Sequence, residues 1–133
     1  MIIQVDPHSL IVDYLTTVSQ VTTLTGSRIW AGEDTPPKGY EPTQGGAIVF
    51  RVRGGAEDHA PHYARPSVQF KCYGATRAAA YQLARTVKAA LDDAPIPGLP
   101  SGRAETLPNL INEVNGWPMA VFFYEFLAVS PAT

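Results

Sequence analysis

Apolar and polar residues change rhythm several times along the chain, and each rhythm predicts an element. Residues 7–18 place Leu10, Ile11, Tyr14, Leu15 and Val18 on one face at helical spacing. Asp6 is positioned to cap this helix. Pro7 suits its first turn, because the N–H that proline lacks would be unpaired there. A short second turn over 19–24 ends at Gly26, and Arg28-Ile29-Trp30 reads as a short strand. From 47 to 53 the pattern alternates: Ile48, Phe50 and Val52 point one way, and Val49, Arg51 and Arg53 the other. Alternation returns over 66–73, with Pro66, Val68, Phe70 and Cys72 opposite Ser67, Gln69, Lys71 and Tyr73. A second long helix spans 76–92 on a stripe of Ala80, Leu83, Ala84, Val87 and Leu91. The last strand, 117–130, is apolar on both faces. Met119, Val121, Phe123, Leu127 and Val129 alternate there with Ala120, Phe122, Tyr124, Phe126 and Ala128.

The connections are as informative. Pro36, Pro37 and Pro42, mixed with glycines and charges, exclude regular structure from the loop 32–45. Residues 54–64 are polar and read as a long hairpin tip. A second Pro-rich connection, 94–108, leads to a weaker strand over 110–114, and Asn115-Gly116 is a strong turn signal. The order of helix, strands, helix and strands describes one α+β domain over residues 1–133. Its sheet is mostly antiparallel (mixed), with four to five strands packed against two main helices. The doubly apolar last strand either sits centrally, covered on both faces, or presents one face to another subunit.

Composition narrows the function. With 133 residues the chain has the length of one ordinary domain. It is 45% hydrophobic but only 17% charged, which leaves few charges to cover a surface and points toward a partner. The formal net charge is −2 and the pI about 5.8, against the basic excess of a protein that grips DNA by itself. Cys72 stands alone, so neither an intramolecular disulfide nor a cysteine-based metal cage is expected. The start MIIQVDPHSL lacks the pattern of a signal peptide, and no apolar run approaches the ~20 residues of a membrane helix. The expectation is a soluble protein made in the cytoplasm, with no membrane partner.

Enzyme chemistry finds little support. Asp58-His59-x-x-His62, beside Glu57, offers two imidazoles and a carboxylate to zinc. The histidines lack helical i, i+4 spacing and His8 is the only other one, so a polar hairpin tip is the better reading. Glu125 among aromatics suggests a raised pKa and acid catalysis; a strand-edge residue paired with an arginine fits it better. Cys72 shares a face with Val68 and Phe70 and reads as a buried small hydrophobe. Ser101-Gly102 and Gly54-Gly55 lack the strand-to-helix context of a nucleophile elbow or phosphate loop. The stripe Arg77, Tyr81, Arg85, Lys88 mixes basic and aromatic groups as nucleic-acid binders do, but suits a solvated or interface helix face better. No catalytic, cofactor or metal constellation emerges, and no enzyme is expected.

One surface does invite a partner. If 47–53 and 65–73 pair as a hairpin, Arg51, Arg53, Arg65 and Lys71 crowd onto one sheet face. The loops carry Glu33, Asp34, Glu41, Glu57 and Asp58. Either the basic face of one copy meets acidic loops of the next, as a ring requires, or this is a solvated face with scattered loop charges.

The N-terminal helix leading into Val21-Thr22-Thr23-Leu24-Thr25-Gly26-Ser27-Arg28-Ile29-Trp30 resembles the opening of the bacteriophage tail-completion, or tail-terminator, family. The Pro-rich stretch that follows is similar to the family's next segment. So are the strand around Ile48-Val49-Phe50 and the alternating Ser67-Val68-Gln69-Phe70-Lys71-Cys72-Tyr73, which runs into a helix near Arg77. Phe122-Phe123-Tyr124-Glu125-Phe126 resembles the usual closing strand. The resemblance implies a non-enzymatic virion protein, assembled as a ring, typically hexameric, at the head-proximal end of the tail tube. Such a ring ends tube growth, docks neck proteins and lets DNA through its centre without specific binding. A head-closure or adaptor protein of the neck is the alternative, and a small ligand-binding domain a more distant one.

Overall fold

The computed structural model describes residues 6–57, 63–92, 94–112 and 115–129. Helix α1, Pro7–Leu15, starts as its sequence requires: the Asp6 carboxylate accepts hydrogen bonds from the His8 N–H at 3.1 Å and the Ser9 hydroxyl at 2.9 Å. Helix α2, Ser19–Thr25, ends at Gly26, whose φ of 58° suits the turn into strand β1, Ile29–Ala31. After the loop come the long strands β2, Ala47–Glu57, and β3, Tyr63–Tyr73. Helix α3, Arg77–Asp92, is capped by the Thr76 hydroxyl, which accepts from the Ala79 N–H at 3.1 Å. Strands β4, Ser101–Ala104, β5, Asn109–Asn112, and β6, Pro118–Val129, complete the fold.

The strands form one sheet in the order β1-β2-β3-β6-β4, with β5 also on β6. All pairings are antiparallel except β1 with β2. The α+β class and mixed sheet are as the sequence indicates, with six strands in place of four to five and three helices in place of two main ones. The connection 94–108 read as strandless contains β4. The loop 32–45 read as irregular throughout contains a 3-10 turn at Pro42–Gln44. Strands β2 and β3 run further into the polar hairpin than their alternation suggested, because backbone pairing continues through Gly54 and Gly55, opposite Ser67 and Pro66.

All three helices lie on one face of the sheet. There Ile48, Phe50, Val68, Phe70, Cys72, Ala120, Phe122 and Tyr124 meet Ile11 and Leu15 of α1 and Leu83, Ala84 and Val87 of α3, all buried. Phe50, Phe70 and Phe122 are register partners on adjacent strands, and their rings stack at 5.2 and 5.1 Å. Polar side chains tie the layers at the end of α3. The Tyr14 hydroxyl donates to the Ala90 carbonyl at 2.8 Å, and the Tyr124 hydroxyl to the Asp92 carboxylate at 2.9 Å. Strand β6 is internal, with β3 on one edge and β4 and β5 on the other. Its inward residues Ala120, Phe122, Tyr124, Phe126 and Ala128 are buried, whereas Val121, Phe123, Glu125, Leu127 and Val129 on the other face are half-buried. The doubly apolar strand is therefore central in the sheet but covered fully on one face only.

Cys72 lies in the core with no exposure, and burial pushes its thiol far above the usual thiol range. A thiol reagent should leave it unmodified in the folded protein and label it fully in 6 M guanidinium, as absorbance at 412 nm with Ellman's reagent would show. Fast labelling under native conditions would contradict this packing.

Candidate functional site

The sheet face opposite the helices carries the unusual chemistry. One end is covered by the loop 32–45, anchored through Tyr40. The Tyr40 ring packs edge-on against Trp30 at 5.7 Å and Trp117 at 5.6 Å, over buried Ala47, Val49, Tyr73 and Met119. Its hydroxyl donates to the Gly45 carbonyl at 2.7 Å, and burial pushes its pKa up to about 12.

Beside this small aromatic core, Asp34 reaches down to the sheet. Lys71 Nζ lies 3.0 Å from Asp34 Oδ1 and also donates to the Asp34 carbonyl at 2.8 Å. Arg51 Nη2 approaches the same carboxylate oxygen at 3.1 Å and Arg53 Nη1 at 3.7 Å. The hydrogen bond from Lys71, with the charges of Lys71, Arg51 and Arg53, holds the Asp34 carboxyl below the ordinary carboxylate range. Strand geometry explains the convergence. Arg51 and Lys71 share a face, since Arg51 pairs with Gln69 and Val49 with Lys71. Arg53 occupies the register shift between Val52 and Gly54, where a bulge lets an extra residue turn toward the same spot. Arg51 Nε is buried without a hydrogen-bond partner among the described residues.

Three of the four basic residues singled out in the sequence are thus brought together. Arg65 is not among them: it lines a separate shallow groove of about 220 Å³ with Ser101, Gly102, Arg103, Glu125 and Leu127. Register explains the separation, because Arg65 lies opposite Ala56, well beyond Lys71 toward the hairpin tip. Asp34, expected as an acidic loop residue facing a neighbour, instead engages the basic face of its own chain. The alternation of 47–53 and 67–73 revealed the face but not the loop folding back over it; Gly32 and Gly39, bracketing a stiff Pro-Pro segment, were the available signal. The side chain of Glu57 and the whole of Asp58, with the Asp-His-x-x-His motif, fall outside the described residues.

The other candidates resolve more simply. Glu125 pairs with Arg103 at 3.6 Å, as a strand residue beside an arginine should. Tyr81 and Arg85, in contact at 5.9 Å, line an open groove of about 1080 Å³ between α2 and α3, together with Val18, Leu24, Gln82 and Ala89. Lys88 is paired with Asp92 one turn on, at 2.8 Å. Among the described residues no three of His, Cys, Asp and Glu cluster as metal ligands, and no helix is long and apolar enough to cross a membrane.

These features define an α+β protein with helices on one sheet face and a half-apolar, charge-latched surface on the other. The fold is similar to that of a chain in the solved structure titled "Virion of native gene transfer agent (GTA) particle". The TM-score is 0.62 and the sequence identity 17%, over 94% of this chain and 95% of that one. No family model and no curated protein sequence matches the chain.

Proposed function

We propose that this protein is a structural component of a phage-type virion, and within it the tail terminator. It forms a ring on the head-proximal end of the tail tube, ends tube polymerisation and offers the head–tail joining surface around a DNA channel. The observation that carries the virion assignment is the likeness of fold, over nearly the full length of both chains, to a protein of a virion particle. The narrower role rests on the resemblance of successive segments, from Val21–Trp30 to Phe122–Phe126, to the tail-completion family. A half-buried apolar strip along β6, with Val121, Phe123 and Leu127, suits a protein that works packed against others. The same reading makes Arg51, Arg53 and Lys71 of one copy, with Arg65 in its separate groove nearer the hairpin tip, a heterologous interface to acidic residues, Glu57 and Asp58 among them, of the next. A mildly acidic subunit, net −2, suits a conduit that must not hold passing DNA.

Electron microscopy with light scattering, on the purified protein alone and mixed with tail tubes, tests this. Rings with a central hole, or protein bound at one end of each tube, are the expected result. Binding to head connectors but not to tubes would replace the terminator with a neck adaptor. A monomer that ignores both would overturn the virion reading.

A further inference from the structure

We propose that residues 33–38 form a latched flap, and that Asp34 holds in the single subunit the place that an acidic group of a second copy takes in the assembly. Gly32, with φ 79°, and Gly39, with φ 100°, flank the segment, and both stand in open space. Both positions use backbone conformations natural to glycine, so they can act as hinges. Between them Pro36 and Pro37 stiffen the chain, so the segment moves as a unit. Beyond Gly39, Tyr40 stays anchored in its aromatic cluster. Among the described residues, the charged contacts that tie the segment to the sheet all run through Asp34.

Its charge balance is incomplete. Lys71, Arg51 and Arg53 converge on one oxygen of one carboxylate, which leaves three positive charges against one negative. The patch is +2 in a chain of net −2, so the rest of the subunit is net −4. A second copy thus brings acidic groups of complementary sign, whereas a nucleic acid would meet the net negative charge of the whole subunit. The buried Arg51 Nε, without a partner among the described residues, is a further unmet donor. The latch is also easily displaced, since the side chains of Asp34, Arg53 and Arg51 are 49%, 43% and 35% exposed and only Lys71, at 14%, is well shielded. Exposed pairs of this kind contribute little each and are screened by salt. An incoming carboxylate finds three cations already gathered and displaces one weakly held group.

The identity of the occupant rests on the ring reading; the carboxylate site does not. The test is Asp34→Asn, a near-isosteric change on an exposed loop, with circular dichroism and melting to verify the fold. Two readouts are needed: the subunit concentration for ring formation, by analytical ultracentrifugation, and calorimetric titration with a hexaglutamate peptide, both at low ionic strength. Removing the internal competitor should lower the assembly concentration and tighten hexaglutamate binding, each by about fivefold to tenfold. Arg51→Gln/Arg53→Gln added to Asp34→Asn should abolish the gain. Wild-type rings with no gain, or a loss, in Asp34→Asn would overturn the flap while leaving the ring intact. If wild type makes no rings and binds no tubes, the ring reading fails. Tighter hexaglutamate binding alone would then overturn the second copy as occupant, and unchanged binding would overturn the flap itself.

Discussion

Phe70→Ala should cost about 3–5 kcal/mol of stability, more than any other single truncation expected here. Phe70 has no exposure and sits in the middle strand of the stacked row, 5.2 Å from the Phe50 ring and 5.1 Å from Phe122. Its removal leaves a cavity whose walls lie on three neighbouring strands and cannot collapse without breaking register. It also removes two ring–ring contacts, each worth about 0.5–1.5 kcal/mol beyond area burial. Against the roughly 5–15 kcal/mol that separates folded from unfolded states in domains of this kind, such a loss leaves little. Urea unfolding followed by far-UV circular dichroism should show a large fall in midpoint at unchanged slope. Phe123→Ala is the matched control. It truncates the same residue type on β6, but on the half-buried face, and should cost well under half as much. Equal losses at the two positions would mean that the outer face is packed in the isolated subunit, which would remove the case for a partner there.

That contrast shows what the chain discloses by itself. Period alone identified α1, α3 and the inward faces of β2 and β3, because helical stripes and alternation are imposed by the same burial that holds those elements in place. It did not reveal β4, since Ser101-Gly102-Arg103-Ala104 carries no apolar alternation. That strand exists because β6 offers it a paired edge and because Gly102 fits closely against Tyr124 and Phe126, where an added Cβ would lie 2.6 Å from the Tyr124 ring. Nor could period say how β6 would be covered. A strand apolar on both sides fits a buried layer and an exposed contact surface equally, and only the placement of all helices on one side decides between them. The basic face was legible for a local reason, the two-residue repeat of Arg51 and Lys71 positions. The return of Asp34 onto it was not, because a loop's path depends on its anchor. That anchor is Tyr40, packed against Trp30 just before the loop and against Trp117, which is distant in sequence.

The second large effect concerns assembly. Arg51→Glu/Arg53→Glu should leave the subunit folded and abolish ring formation. The same two changes also break contacts within the subunit, because Asp34 would then face two carboxylates. With side chains this exposed, the cost to stability should stay near about 1 kcal/mol per pair or less. Loss of rings in this double variant therefore has two explanations: a missing contact to the neighbour, or a disordered flap. Adding Asp34→Lys separates them. It restores opposite charges between position 34 and positions 51 and 53 inside the subunit but sets two lysines together at 34 and 71, so melting temperature should recover in part toward wild type. It does nothing for an acidic surface arriving from a second copy, which still meets two introduced carboxylates, so rings should remain absent at all accessible concentrations. If the triple variant regains assembly together with stability, the basic residues serve only to hold the flap, and the contact between copies lies elsewhere, with the apolar strip of Val121, Phe123 and Leu127 as the next surface to alter. If stability returns without assembly, Arg51 and Arg53 act across the interface, because the charge swap restores opposite signs at both pairs that the reversal had broken, and the contacts it leaves unrepaired, Arg53 to Gln69 and Lys71 to position 34, lie within the subunit.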